Sequence, residues 1–135
     1  MKEVFTIETV EPKQCVDITA LVQETVRRAG IEAGLCHVMV LHTTAAIVVN
    51  ETDDPNIGVD VIDALDRSVP DRGGWRHDQI DDNAHSHIKA SILGPSELLP
   101  VDGGELVLGS WQGIMLFEFD GPRKRKVAVS ILARG

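Results

Sequence analysis

Apolar and polar positions in the first part of the chain follow the spacing of a strand and then that of a helix. Residues 4–9 alternate apolar and polar side chains, which predicts an opening β-strand. Apolar residues then recur at helical spacing over residues 21–29, and Asp17 or Thr19 precedes them as a capping residue. Gly30 is a typical C-terminal stop for this predicted helix.

The next apolar segment, residues 35–41, carries apolar side chains on both of its faces. A strand of this kind is buried on both sides, and residues 45–49 continue in the same style. A chain of 135 residues has few layers of secondary structure with which to cover two faces. The pattern therefore favours burial of this strand between subunits.

Two further helices are predicted on either side of a long polar loop. Pro55 suits the first turn of a helix capped by Asp54. This helix presents an apolar stripe of Ile57, Val61 and Leu65. Residues 71–82 are polar and contain glycines, and a loop of this length is often functional. Asn83 then caps a short predicted helix that runs to Leu93.

The last third of the chain predicts strands joined by glycine-containing turns, for which hairpins are the natural connection. The predicted strands are residues 98–101, 105–108, 111–119 and 126–132. Together with the three helices they predict an α+β fold with a largely antiparallel sheet. No repeat or linker divides the chain, so residues 1–135 are predicted to form a single compact domain.

Composition narrows the partners and the setting. The net charge of -8 and the pI near 5.0 oppose nucleic-acid binding, because phosphate backbones attract clustered Lys and Arg. A small phosphorylated ligand needs only a local basic spot. The sequence has no apolar run of about 18 residues, so it predicts no membrane span. Cys15 and Cys36 lack a CxxC spacing, which predicts free thiols, a reducing compartment and hence the cytoplasm.

Three histidines, His42, His77 and His87, stand among acids, hydroxyls and an amide. Neutral imidazole is the commonest metal ligand and titrates near neutrality, so these residues predict a divalent metal site, with Zn²⁺ or Mg²⁺, or acid/base chemistry. The alternative for each is an ordinary hydrogen-bonded side chain. His42 ends a predicted strand, and His77 adjoins Asp78 in a cluster of loop carboxylates suited to Mg²⁺.

A second histidine, His85, lies two residues before His87 on the third predicted helix. Two such side chains point about 200° away from each other, so only one of them reaches a given site. The helical pattern alone does not decide which.

Two charged residues near the C-terminal strands are further candidates. Glu118 has the strand parity of Ile114 and Leu116, and a buried carboxylate must meet a cation, a metal or a protonated partner. Such a carboxylate is a candidate general base, and the alternative is an ordinary Glu at the solvent-exposed end of a strand. Arg123, beside a glycine-proline turn, is suited to bind a phosphate, although its basic run is equally typical of a solvated sheet edge.

Several segments together resemble the YjbQ-like family, also called the secondary thiamine-phosphate synthase family. In chain order they are Leu41-His42-Thr43-Thr44-Ala45-Ala46, Asn50-Glu51-x-x-Asp54-Pro55, Asp60, His77-Asp78, Ser86-His87-Ile88-Lys89-Ala90-Ser91, Leu99-Pro100-Val101, Gly109-Ser110-Trp111-Gln112-Gly113-Ile114, Glu118 and Gly121-Pro122-Arg123. The likeness spans nearly the whole chain, and the combination of motifs is highly specific.

The resemblance implies an α+β homotrimer with a pocket near the subunit interface, and it favours His87 over His85 as the site residue. The expected site consists of Glu118 and Asp78 as catalytic residues, Arg123, Thr43 and Thr44 as ligand contacts, and His42, His77 and His87 as metal ligands.

The activity implied by the resemblance is a weak thiamine-phosphate synthase reaction. It joins an aminopyrimidine diphosphate to a thiazole phosphate with loss of diphosphate, and Mg²⁺ and basic groups would stabilise the departing charge. Two alternatives stay open. One is a zinc hydrolase in which the three histidines hold Zn²⁺ and Glu118 or Asp78 acts as the base. The other is a ligand-binding trimer without turnover.

Overall fold

Eight β-strands and three α-helices make up the fold in the computed structural model, which describes residues 1–135. The strands are β1 (Lys2–Glu8), β2 (Gln14–Asp17), β3 (Ala33–Val40), β4 (Ala45–Glu51), β5 (Ser96–Asp102), β6 (Glu105–Leu106), β7 (Gln112–Glu118) and β8 (Lys124–Ala133). The helices are α1 (Thr19–Ala29), α2 (Asn56–Ser68) and α3 (Ala84–Leu93). A short 3₁₀ helix, Arg76–Gln79, lies between α2 and α3.

The strands form two sheets in which every pair is antiparallel. The larger sheet has five strands in the order β1-β8-β3-β5-β6, and the smaller sheet has three in the order β2-β7-β4. The predicted α+β fold with three helices and antiparallel pairing is therefore confirmed. The difference is that the strands divide into two sheets, and the chain passes repeatedly from one sheet to the other, for example between β3 and β4 and between β7 and β8.

Two apolar cores hold these layers together. The first is enclosed by the larger sheet, the smaller sheet and α1, and β3 contributes Cys36, Val38 and Val40 to it. The second lies on the other face of the smaller sheet, beneath α2 and α3, and contains Phe117 and Phe119. Because side chains alternate along a strand, β7 supplies residues to both cores.

The outer face of the larger sheet exposes apolar side chains. Leu35, Leu98 and Leu132 are 40%, 61% and 69% exposed, and Met39 lies on the same face. Leu35 and Leu132 are direct partners across β3 and β8, and both line a cavity of about 490 Å³. As predicted, β3 is apolar on both faces, but only its inner face is covered within the chain.

Two helices begin beside the acidic residues that the sequence predicts as caps, although the N-cap positions themselves are Ile18 and Pro55. Oδ1 of Asp17 accepts the backbone N–H of Thr19 at 2.9 Å, and α1 ends at Gly30 in the left-handed conformation with φ of 66°. Oδ1 of Asp54 likewise accepts the N–H of Asn56, the first residue of α2.

The cap of α3 corrects a prediction. Asn83 makes no capping hydrogen bond, and its side-chain amide donates instead to Oδ2 of Asp120 at 3.0 Å. Asp78 supplies the cap, because its Oδ1 accepts the N–H of Ala84 at 3.1 Å. This contact fixes the 3₁₀ helix against the first turn of α3.

Strand β2 is absent from the sequence prediction. It has only four residues, follows Pro12 closely and shows no clear alternation, so it gives little strand signal of its own. Tertiary pairing creates it, since Gln14 lies opposite Glu118 and Asp17 opposite Met115 on β7.

Two predictions from composition also have structural outcomes. Cys15 and Cys36 are both free, as expected, and burial raises the pKa of each thiol to about 11. None of the helices has the length and apolar character that crossing a membrane requires.

Candidate functional site

A cavity of about 530 Å³ opens beside the end of β3. His42 and Thr43 line it from the segment between β3 and β4, and His87 and Ser91 line it from α3. Met39, on the outer face of the larger sheet, also borders it. This cavity, called the His42 cavity below, has the size of a small-molecule site and contains two of the three predicted histidines.

A buried chain of hydrogen bonds lies behind His42. Glu118 and Arg125 form a buried bidentate ion pair. Nε of Arg125 donates to Oε1 at a distance of 2.9 Å, and Nη2 donates to Oε2. The same Nη2 donates to the hydroxyl oxygen of Thr44 at 2.7 Å. That hydroxyl lies 3.1 Å from Nδ1 of His42. A continuous path of contacts therefore runs from a carboxylate, through a guanidinium and a hydroxyl, to an imidazole.

The carboxylate of Glu118 has all of its partners inside the protein. Besides Arg125, the Thr9 hydroxyl donates to Oε1 at 2.7 Å and the Asp120 N–H donates to Oε2 at 3.0 Å. The expectation that this buried carboxylate meets a cation is confirmed, and the cation is Arg125. Glu118 orients its neighbours in this arrangement, and its predicted role as a general base would require Arg125 to move away.

These contacts determine which nitrogen of neutral His42 carries the proton. Arg125 can only donate, so the oxygen of Thr44 accepts from it, and Nδ1 of His42 is the one acceptor within reach of the buried hydroxyl hydrogen. The backbone N–H of Thr44, 3.4 Å from the same nitrogen, can likewise only donate. Nδ1 is thus an acceptor, and the proton resides on Nε2, which has no hydrogen-bond partner in the chain.

The charge state of His42 follows from its surroundings. Partial burial, and then the positive charges of Arg125 and Arg123, hold the pKa of His42 below its ordinary value near 6.5. The imidazole is therefore neutral at neutral pH. It presents an uncharged N–H donor beside the His42 cavity.

His87 also borders a second cavity, of about 380 Å³, which it shares with His77. The two rings meet edge to face with their centroids 4.9 Å apart. His87 is therefore the common neighbour of the other two predicted histidines. Even so, no group of three or more His, Cys, Asp or Glu side chains is placed to hold a metal ion. The Zn²⁺ or Mg²⁺ site stays a prediction, and within one subunit it needs a rearrangement or a further ligand.

Asp78 and Arg123 have protein partners of their own. Asp78 caps α3, whereas Arg123 donates from Nε to the Asp120 carbonyl at 2.8 Å and from Nη2 to the Asp120 carboxylate at 3.0 Å. Burial raises the pKa of Asp120, but hydrogen bonds from Asn83 and Arg123 outweigh it and hold the pKa below its usual range. The Arg123 side chain is ordered by Asp120 and is still 47% exposed.

His85 lies outside both cavities, in a buried ion cluster. It is 7% exposed, and its Nδ1 lies 3.1 Å from Nζ of Lys89. Lys89 is fully buried and donates to Asp66, which also accepts from Lys13. Asp71 bonds to Lys13 at 2.7 Å. Helix α3 thus directs His85 into this cluster and His87 toward the cavities, so only His87 borders the candidate site.

A family model described as UPF0047 protein YjbQ-like matches residues 3–134 of the chain. The chain belongs to this family. A UPF0047 protein of Archaeoglobus fulgidus is 40% identical over 128 residues, which cover 95% of this chain and 98% of that protein. The YjbQ-like relative YugU of Bacillus subtilis is 34% identical over 135 residues, which cover 98% of this chain and 99% of YugU.

Solved structures of similar proteins have the same fold. A YbjQ-like protein of unknown function from Sulfolobus solfataricus superposes with a TM-score of 0.96 at 38% identity, covering 99% of this chain and 97% of that one. A hypothetical protein from Aeropyrum pernix gives a TM-score of 0.95 at 39% identity and covers 99% of each chain. The likeness establishes family and fold rather than a reaction.

The sequence predictions do not identify two buried charged residues of this YjbQ-like chain, Arg125 and Lys89. Arg125 alternates with the inward-facing Val127 and Val129 of β8, and this alternation is visible in the sequence. Lys89 lies one helical turn after His85 on the buried face of α3. Because a fully buried charge requires a partner, both positions indicate internal ion pairs.

Proposed function

We propose that the His42 cavity binds a small phosphorylated molecule and serves a group transfer of the thiamine-phosphate synthase type. In this reaction the bond between the methylene carbon of an aminopyrimidine and its diphosphate oxygen breaks, and the electron pair leaves with the diphosphate. The ring nitrogen of a thiazole phosphate forms the new bond to that carbon. Stabilising the departing negative charge is the main demand on the protein.

The observation that carries the proposal is the Nε2–H of His42. Thr44 occupies the opposite nitrogen of the ring, so this donor is free for a ligand. Arg123 does not line the cavity, but its charge and that of Arg125 act on the same imidazole, so the local field favours an anion at this donor. A neutral N–H donor in a positive field is suited to an oxygen of a phosphate or diphosphate. Thr43 and Ser91, which line the same cavity, supply hydroxyls for further contacts.

A homotrimer, implied by the YjbQ-like resemblance, is the assembly that we propose. The exposed leucines on the outer face of the larger sheet support it, because a large apolar patch on a protein surface marks an interaction site. Met39 belongs both to that face and to the His42 cavity. A second copy packed on the face would therefore border the cavity. The free thiols of Cys15 and Cys36 agree with a cytoplasmic location.

Product formation tests the reaction. Purified protein incubated with the aminopyrimidine diphosphate and the thiazole phosphate should release thiamine phosphate and diphosphate. Arg123→Ala should lower the rate on the order of 10-fold, because it removes a positive charge that acts on His42. Arg27→Ala is the matched control, since Arg27 is 56% exposed, pairs with Glu105 and should leave the rate unchanged.

The same experiment separates the alternatives. Absence of product together with tight binding of inorganic diphosphate would support a ligand-binding protein without turnover. Absence of both product and diphosphate binding would contradict the proposal. The zinc hydrolase requires a third metal ligand that one subunit does not place beside His77 and His87.

A further inference from the structure

The cavity that His77 shares with His87 has walls suited to a flat aromatic ring. Three ring-bearing side chains line it, those of Trp75, His77 and His87, and Ile88 adds an apolar surface. Its volume of about 380 Å³ is at the lower end of the range for small-molecule sites. Arg76 is the one permanently charged residue of the lining, and no carboxylate is present to pair with a cationic ligand.

The indole of Trp75 is held by neighbouring backbone rather than by the apolar cores. Its Nε1 donates to the carbonyl of Pro70 at 2.9 Å. Gly73 lies against the ring, because a Cβ at this position would approach Cε2 and Cζ2 of the indole to 2.7 Å. Trp75 packs in neither core and keeps part of its surface exposed. An indole fixed in this way is a preformed stacking surface.

His87 joins this cavity to the His42 cavity. Its ring lines both of them, and it contacts His77 edge to face on one side. A ligand that lies across His87 would therefore have one part against Trp75 and the other part near Nε2 of His42. The two cavities differ in lining, since the second has three rings and the first has hydroxyls and aliphatic groups.

We propose that the cavity beside Trp75 binds the ring of a heteroaromatic phosphate, with the phosphate directed into the His42 cavity. The phosphate half rests on the proposed function, and the ring half rests on the geometry of Trp75 alone. Ring stacking on the indole supplies affinity, and the neutral or cationic lining selects a ring that carries an anionic rather than a cationic tail. His87 lies where the two halves of such a ligand meet.

Tryptophan fluorescence tests the ring half. The chain has two tryptophans, and Trp111 is 64% exposed, so Trp111→Phe leaves Trp75 as the single reporter. Aminopyrimidine monophosphate and adenosine monophosphate are titrated separately, with ribose phosphate as the probe that lacks an aromatic ring. We expect saturable quenching by at least one aromatic phosphate and none by ribose phosphate, and the two aromatic arms identify the kind of ring. Equal responses to all three probes, or no response, would overturn the proposal.

Two variants displace the stacking surface in different ways, and calorimetry measures their binding. Trp75→Leu removes the indole, whereas Gly73→Ala keeps it and forces it to shift. Both should weaken binding of the aromatic phosphate on the order of 10-fold. Trp111→Leu, the matched control, should not. Unchanged affinity in Trp75→Leu would overturn the proposal.

Inorganic diphosphate distinguishes this proposal from the proposed function. It has no ring, so it should bind the parent, Trp75→Leu and Gly73→Ala equally. If diphosphate binds none of them while the aromatic probe still depends on Trp75, the phosphate half fails and the ring site stands. If diphosphate binds all of them and the aromatic probe gains nothing from Trp75, the ring site fails alone.

Discussion

The hydroxyl of Thr44 lies 3.1 Å from Nδ1 of His42, and Thr44 is fully buried whereas His42 is exposed. An exposed histidine would otherwise exchange its proton between its two ring nitrogens. The contact with Thr44 keeps the proton of His42 on Nε2, so the ring donates in one fixed direction. It also bears on the metal hypothesis. A metal on Nε2 of His42 would require the proton to move to Nδ1, where Thr44 already offers two donors.

Nitrogen NMR at neutral pH should show His42 with an unprotonated Nδ1 and a protonated Nε2. Thr44→Val keeps the shape of the side chain and removes the hydroxyl, so the Nδ1-protonated tautomer should become populated. Thr44→Ser keeps the hydroxyl and should preserve the parental signal. A protonated Nδ1 in the parent protein would contradict the assignment.

Stability should depend strongly on the pair between Glu118 and Arg125. Glu118→Gln leaves a buried guanidinium without its counter-charge, which should lower the free energy of unfolding by about 3–5 kcal/mol. Glu105→Gln removes the ion pair between Glu105 and Arg27, in which both side chains are more than half exposed. This change should lower the free energy of unfolding by at most about 1 kcal/mol. Urea denaturation measures both. Equal losses in the two variants would show that the buried pair stabilises the fold no more than the exposed pair does.

The sequence predicts an element correctly where the contacts that define it lie within a few residues along the chain. Asp17 and Gly30 set the ends of α1 through contacts within a few residues, so spacing alone locates this helix. Strand β2 and the cap of α3 depend on segments distant in the chain or on loop conformation, as with Asp78 and Ala84. Such contacts leave no local pattern.

The candidate site was only partly accessible to the same reasoning. His42, Thr43 and His87 line one cavity, as expected of motif residues. Thr44, although adjacent to Thr43, faces the interior, where its hydroxyl accepts from Arg125. The partner of Glu118 could be recognised as necessary but not identified, since β7 and β8 lie in different sheets and their contact depends on how the two sheets pack.

Light scattering tests the proposed trimer. The parent should have three times the chain mass of 14.7 kDa. Leu98→Asp places a charge on the outer face of the larger sheet and should shift the mass toward that of one chain, because the carboxylate would be desolvated on assembly. Val59→Asp, at a comparably exposed residue on α2, is the control and should leave the mass unchanged. A parent mass of 14.7 kDa would contradict the trimer.

Zinc titration tests the metal hypothesis. One subunit offers His77 and His87 as neighbours but no third ligand, so we expect dialysed protein to bind Zn²⁺ weakly. His87→Ala should lower occupancy on the order of 10-fold, and His37→Ala, which alters a histidine on β3, should not. Tight stoichiometric binding that is lost in each of His42→Ala, His77→Ala and His87→Ala would instead establish the three-histidine site.

The ion cluster around Lys89 should make the fold sensitive to acid in two steps. Burial, and then the charge of Lys89, lower the pKa of His85. In the unfolded chain this histidine is protonated below about pH 6.5, whereas in the folded chain it is protonated only at lower pH. The contribution of neutral His85 to the free energy of unfolding is therefore fully present above about pH 6.5 and is lost as the pH falls. Burial raises the pKa of Asp66, but hydrogen bonds from Lys89 and Lys13 outweigh it and lower the pKa. The contribution of Asp66 is therefore present above about pH 4 and is lost below it.

Urea denaturation between about pH 8 and pH 4 measures the first step, in which each histidine can add at most about 1.4 kcal/mol per pH unit to the slope. The pKa of His42 is also lowered, so His85→Asn should remove part of the slope and the double variant with His42→Asn should remove more. His37→Asn should retain the parental slope, because His37 lies on the outer sheet face away from Lys89. The two contributions should add, since His42 and His85 share no hydrogen-bond partner. A parental slope in His85→Asn would show that the cluster accommodates the protonated imidazole without cost, and would remove His85 as a source of acid sensitivity.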